Sequence, residues 1–120
     1  MTLPMIANIA RQDDKISLKR ILEHDFSVAV REYAEANGWT VFYQQVTGHM
    51  GKDNKWKGMS PKGEPDLRIV KRGKPPIFAE LKREQGTISH AQLQALHELG
   101  EYGRLWKPHD ADAIMQELGA

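Results

Sequence analysis

Gly63-Glu64-Pro65-Asp66-Leu67-Arg68-Ile69-Val70, followed by Ile77-Phe78-Ala79-Glu80-Leu81-Lys82, decides the reading of this 120-residue chain. Leu67 to Val70 and Ile77 to Leu81 are short apolar runs rich in β-formers. Lys71-Arg72-Gly73-Lys74-Pro75-Pro76 separates them, so the pair reads as a β-hairpin with a glycine-containing turn. If the strands fold about Gly73, residues equidistant from it stand opposite one another. Asp66 then faces Glu80, with Cβ atoms roughly 4.5–5.5 Å apart. Lys82 shares a face with Glu80 because side chains alternate along a strand. A Pro-Asp pair alone is a turn, and Glu-x-Lys alone is a solvated strand face. At matched positions on paired strands they become a candidate site. Two opposed carboxylates flanked by Ile77, Phe78, Ala79 and Leu81 repel each other and lose hydration. A hard divalent cation offsets both costs, and oxygen ligands suit Mg²⁺ or Mn²⁺. Lys82 beside that cation can orient an attacking water and stabilise charge building on a phosphate.

Working outward, Leu22, Phe26, Ala29, Val30 and Tyr33 recur at helical steps from Ser17 onward. Asn37-Gly38 closes that helix, glycine suiting the left-handed position after a helix end. Thr40 to Val46 reads as a strand. Residues 47–62 form a long polar loop with four lysines and Trp56, and a loop of this length in a small domain points to function or disorder. On the other side, Ser89-His90-Ala91-Gln92 is a capping box. It opens a helix whose apolar positions are Ala91, Leu93, Ala95, Leu96 and Leu99, ending at Gly100. Tyr102 to Trp106 is a further strand. Asp110 can cap a last helix running to Leu118. The order is αβββαβ plus a terminal helix: one α/β domain over residues 17–120, with a central mixed sheet flanked by helices. Residues 1–16 give no clear period and read as a loose arm or a short extra helix.

Charge is balanced overall, with 17 basic and 16 acidic residues, but it is not evenly spread. Residues 44–83 hold ten basic and four acidic side chains, while residues 84–120 hold two and six. A basic run alone is a solvated loop. Coinciding with the carboxylate pair, it reads as a groove for nucleic acid. Lys52, Lys55, Lys57, Lys62, Arg68, Lys71, Arg72, Lys74 and Arg83 are the candidates for phosphate contact. Trp56 can stack on a base or anchor its own loop. His49 reads as a solvated loop histidine in preference to a DNA contact. His24, His90, His97 and His109 lack metal-ligand spacing and read as structural or surface residues. Cysteine is absent, which excludes disulfides and thiolate metal sites. No signal peptide, membrane span or nucleotide cofactor is expected, and a cytoplasmic location fits.

The pattern resembles the PD-(D/E)XK nuclease superfamily, and within it the virus-type replication-repair nuclease family (VRR-NUC) in its small stand-alone phage form. Glu23-His24-Asp25-Phe26, Gly38-Trp39, Gly63-Glu64-Pro65-Asp66-Leu67 and Phe78-Ala79-Glu80-Leu81-Lys82-Arg83 carry the resemblance. Gly86, Ser89-His90-Ala91-Gln92 and Trp106-Lys107-Pro108 extend it, so that it runs from about Glu23 to the C-terminus. It implies a restriction-endonuclease-like core. It also implies metal ligation by Asp66, Glu80 and the Leu81 carbonyl, support from Glu23 (through water) and Gln92, and catalysis by Lys82. Family members commonly have Ser or Thr before the first-helix acid. Leu22 stands there in this chain, so the helix is expected to begin at Ser17 with Glu23 inside it.

The expected function is a Mg²⁺- or Mn²⁺-dependent DNA endonuclease. It would select branched DNA as Holliday-junction resolvases do, act as a homodimer, and serve phage replication, recombination or repair. The alternatives are a nuclease for flaps, nicks or other branched ends, and a non-catalytic DNA-binding accessory protein on the same fold.

Overall fold

The computed structural model describes residues 1–43, 48–50, 56–58 and 63–120. Among the described residues there are five α-helices and six strands: α1 (Leu3–Arg11), α2 (Lys15–Arg20), α3 (Glu23–Ala36), β1 (Thr40–Tyr43), β2 (Gly48–Met50), β3 (Trp56–Gly58), β4 (Leu67–Val70), β5 (Ile77–Leu81), α4 (His90–Leu99), β6 (Gly103–Trp106) and α5 (Ala111–Gly119). Four strands form one mixed sheet in the order β1-β4-β5-β6. Its first two pairings are antiparallel, and β5 runs parallel to β6. That parallel step needs a crossover, which α4 supplies. The chain is therefore α/β, with a mixed four-stranded sheet flanked by helices.

The central hairpin folds about Gly73 as expected. Leu67 pairs with Ala79, Arg68 with Phe78, and Ile69 with Ile77. Alternation then divides the sheet. Leu67, Ile69, Ile77, Ala79 and Leu81 are buried, against Phe26, Ala29 and Val30 of α3 and Ile114 and Leu118 of α5. Phe42, Arg68, Phe78 and Glu80 belong to the opposite face. Trp39 joins the two ends of the core, its indole N–H donating to the Leu118 carbonyl at 2.8 Å. Gly38 adopts φ +87°, the left-handed geometry predicted for the close of α3.

Of the two forms expected for residues 1–16, the structure has the short extra helix, α1, and several other expectations change. Proline starts α1 well, Thr2 caps it, and Leu3, Ile6 and Ala7 pack into the core. Arg11 closes over α5 through an ion pair with Asp112. The helix expected from Ser17 is two helices, because Ile21 and Leu22 are extended. Leu18 of α2 and Ile21 at the break are both buried in the core. Asp14 caps α2 by accepting from the Ser17 amide at 3.1 Å. Glu23 therefore opens α3, where the helix dipole favours a negative charge, and is not interior to a longer helix. The expected loop of residues 47–62 contains the antiparallel pair β2 and β3. Residues 44–46 of the predicted first strand lie outside the described residues. The final helix lacks the predicted side-chain cap: Asp110 accepts from the Lys107 amide at 2.9 Å and closes the 3₁₀ turn Pro108–Asp110. Helix α4 keeps its predicted span, but none of its apolar residues is fully buried and Leu93 is 55% exposed. Among the described residues, no helix is long and apolar enough to cross a membrane.

The packing of α1 makes a quantitative prediction. Ile6 is fully buried, so Ile6→Ala should cost about 2–5 kcal/mol in urea unfolding. A loss below about 0.5 kcal/mol, ordinary for surface positions, would mean that α1 merely rests on the domain.

Candidate active site

Asp66 and Glu80 end up together because the hairpin register continues one step past its last ladder pair, Leu67 with Ala79. Pro65 fixes the backbone just before Asp66. The Asp66 Oδ2 atom then accepts a hydrogen bond from the Leu81 amide at 2.9 Å. This bond replaces the ladder contact that a regular strand residue would give, and it pins the aspartate across the end of β5. Continuing the register would set Pro65 opposite Leu81. Proline has no N–H to offer the Leu81 carbonyl, which suits that carbonyl to a cation-ligand role.

Glu80 is 1% exposed. Its Oε1 atom accepts from the Gln92 amide group at 2.7 Å and lies 3.6 Å from the Lys82 ammonium. Its Oε2 atom is buried and has no hydrogen-bond partner among the described residues. Burial pushes the Glu80 carboxyl up to about 8, and the neighbouring Asp66 carboxylate adds to the rise, against the pull of Lys82. A buried acid so destabilised as an anion, with an oxygen facing no donor, is the chemistry that a divalent cation satisfies.

Gln92 has two tasks. Its Oε1 atom accepts from the Ser89 amide at 2.9 Å while the Ser89 hydroxyl accepts from the Gln92 amide at 3.1 Å. This is the predicted capping box. The remaining amide group reaches Glu80. Capping thus fixes the rotamer that holds the acid. Gly63 allows the helix this close. It sits at φ +87°, and a Cβ there would stand 2.6 Å from the Ala91 carbonyl oxygen. The loop carrying Asp66 and the first turn of α4 carrying Gln92 therefore touch backbone to backbone.

Two clefts open at the site, one beside Lys82 and one beside Asp66. One, of about 480 Å³, is lined by Lys19, Glu23, Lys82, Arg83 and Thr87. Glu23 thus stands across a cleft shared with Lys82, and among the described residues no group of three acidic or histidine side chains is arranged to hold a metal. The other, of about 360 Å³, is lined by Phe42, Tyr43, Glu64, Asp66 and Arg68.

The basic candidates divide. Arg68 is exposed beside Asp66. Arg83 is exposed in the first cleft and donates to the Lys19 carbonyl at 3.1 Å. Lys71 is committed elsewhere: its ammonium donates to the Asn37 carbonyl at 2.8 Å and lies over Trp39. Arg72 and Lys74 sit at the hairpin turn, the end of β4 and β5 opposite Asp66 and Glu80. Lys52, Lys55 and Lys62 lie outside the described residues. Trp56, Lys57 and His49 are described only as backbone of β3 and β2. His109 is a surface partner of Glu84, 2.7 Å from its carboxylate, and His24, His90 and His97 are exposed. Sequence reasoning missed Lys19, because the helix break that turns α2 toward the cleft was not foreseen. It also missed Phe42, whose direction depends on the sheet. The left-handed role of Gly63 had a signal in its glycine, but its contact with Ala91 had none.

Two measurements follow. Between its ordinary value of 4.5 and about 8, Glu80 holds a proton in the folded state that the unfolded chain releases. This group's contribution to stability is therefore full below about pH 4.5 and falls as pH rises through 8. In chelator, Glu80→Gln should stabilise the protein more at pH 8.5 than at pH 5 by thermal melting, and an equal shift at both would contradict the raised carboxyl. Gly63→Ala should cost more than Gly73→Ala. Both positions have positive φ, worth roughly 1–3 kcal/mol of strain, but an added Cβ at Gly73 meets nothing within 4 Å. Equal losses in denaturant titrations would deny the Gly63–Ala91 contact.

No protein-family model, curated protein or solved structure matches this chain.

Proposed function

We propose that this protein is a divalent-cation-dependent nuclease that hydrolyses phosphodiester bonds in DNA, on a restriction-endonuclease-like core of the VRR-NUC type. The order α3-β1-β4-β5-α4-β6 supports that fold, with β2 and β3 inserted after its first strand. One observation carries the activity: Asp66 and the buried, partly unsatisfied Glu80 stand together with the Lys82 ammonium 3.6 Å from Glu80.

Asp66, Glu80 and the Leu81 carbonyl would hold Mg²⁺ or Mn²⁺, leaving positions for water and phosphate. When bound, the cation supplies neutralising charge and lowers the pKa of an attacking water. Lys82 orients that water and stabilises the negative charge that grows on the phosphoryl oxygens. Gln92 keeps Glu80 in one rotamer, and Glu23 contributes negative charge at the edge of the cleft. Arg68 in one cleft and Arg83 in the other bind the DNA backbone, together with Lys52, Lys55, Trp56, Lys57 and Lys62 of the basic segment. Such contacts fix position and give little base preference, so selectivity rests on DNA shape. Branched DNA in the host cytoplasm is the proposed substrate, and paired copies of the chain would nick two strands symmetrically.

The decisive assay is cleavage of labelled four-way junction and 5′-flap DNA with Mg²⁺, Mn²⁺ or chelator. Metal-dependent products are expected, with Asp66→Ala and Lys82→Ala each slowing cleavage by about 100-fold or more while the fold is retained by circular dichroism. Paired symmetric nicks in the junction favour resolution, and cutting of the flap alone favours the flap nuclease. DNA binding with no metal-dependent product would replace the enzyme by an accessory binding protein.

A further inference from the structure

Among the described residues, the face of the sheet that carries Glu80 is not fully covered. Phe42, Arg68 and Phe78 form a row across β1, β4 and β5, since Phe42 pairs with Arg68 and Arg68 with Phe78. Asp66 and Glu80 form the next position along the same face. Two residues of strand separate the rows, roughly 6.6 Å. Phe42 is 49% exposed, Tyr43 is 43% exposed, and both line the 360 Å³ cleft with Asp66. The Arg68 guanidinium lies 4.9 Å from the Phe42 ring centre. On the opposite face of β1 the Arg31 guanidinium lies 3.9 Å from the Tyr43 ring centre.

A single exposed aromatic residue needs no explanation. Here the ring is paired with a cation and opens into a cleft that ends on a candidate metal ligand. Protein interfaces are depleted of Glu and Asp, and this patch carries Glu64 and Asp66 beside Arg68. An aromatic face next to a guanidinium instead matches a nucleic-acid base joined to its phosphate. A base inside a duplex has both faces stacked and cannot offer one to Phe42, so the ligand must be unpaired.

We propose that Phe42 and Arg68 form a subsite for one unpaired nucleotide adjoining the scissile phosphate, its base stacked on Phe42 and its phosphate met by Arg68. This rests on reading Asp66 and Glu80 as the nuclease centre, and it names the substrate as DNA with a single-stranded nucleotide at the cut. Full duplex then binds through phosphates alone.

The test compares binding, in chelator, of a fully paired duplex and the same duplex bearing a short flap. Phe42→Leu should weaken flap binding about tenfold and leave duplex binding within about twofold. Phe42→Trp should restore the flap affinity. An abasic residue at the flap junction should remove the difference between wild type and Phe42→Leu. Melting curves establish that each variant folds. Equal weakening for both DNAs, or no weakening, overturns the subsite. So does a change from dimer to monomer by sedimentation with DNA binding intact, which would assign Phe42 to a second copy of this chain. Wild-type protein that cleaves nothing with Mg²⁺ or Mn²⁺ yet shows the Phe42-dependent flap affinity removes the nuclease and keeps the nucleotide site. Metal-dependent cleavage with no dependence on Phe42 does the reverse.

Discussion

The burial of Glu80 beside Asp66 is the constraint from which the rest of the structure takes its meaning. A carboxylate out of water needs compensation, and this one receives only part of it from protein groups. Gln92 donates to one oxygen, Lys82 stands near the same oxygen, and the other oxygen has no partner among the described residues. An apolar residue at position 80 would pack more cheaply against Ala79 and Leu81. A polar group kept in such a place, beside a second acid, matches the pattern of sites where charge is arranged for chemistry.

The surroundings are organised to hold that acid still. The Leu81 amide is diverted from the ladder to Asp66. The first turn of α4 is pressed onto the Gly63 backbone, and its capping glutamine doubles as the partner of Glu80. A cap that already fixes a side chain costs little extra entropy when the same side chain makes a second bond. The weak burial of the rest of α4 fits this division of labour: the helix is placed by its N-terminus more than by its apolar stripe. The opposite side of the sheet carries the stability, where α1, α3 and α5 close over β4 and β5.

Placement of the clefts gives the centre two approaches. Lys19 and Arg83 line one with Lys82, and Arg68 lines the other with Asp66 and Phe42. A chain of phosphates passing over the carboxylates would meet a cation on each side. The positive charge of the middle segment is therefore not uniformly available. Lys71 is used to close α3 against Trp39, and Arg72 and Lys74 belong to a distant turn.

By itself, the sequence determined the hairpin, its symmetry about Gly73, the capping box at Ser89 and Gln92, and the left-handed close at Gly38. Each of these depends on residues within a few positions of one another, where alternation, turn chemistry and capping leave little choice. The juxtaposition of Asp66, Glu80 and Lys82 was legible for the same reason. Tertiary structure decided what local pattern does not encode. The helix that local pattern runs on from Ser17 is interrupted at Ile21 and Leu22, and α1 packs on the surface that α5 offers it. Glu80 acquires its partner in α4 and its raised carboxyl from burial under elements distant in sequence. Phe42 looks outward only because β4 fixes the roll of β1. These outcomes depend on which surfaces meet, and that is settled by packing the whole chain at once.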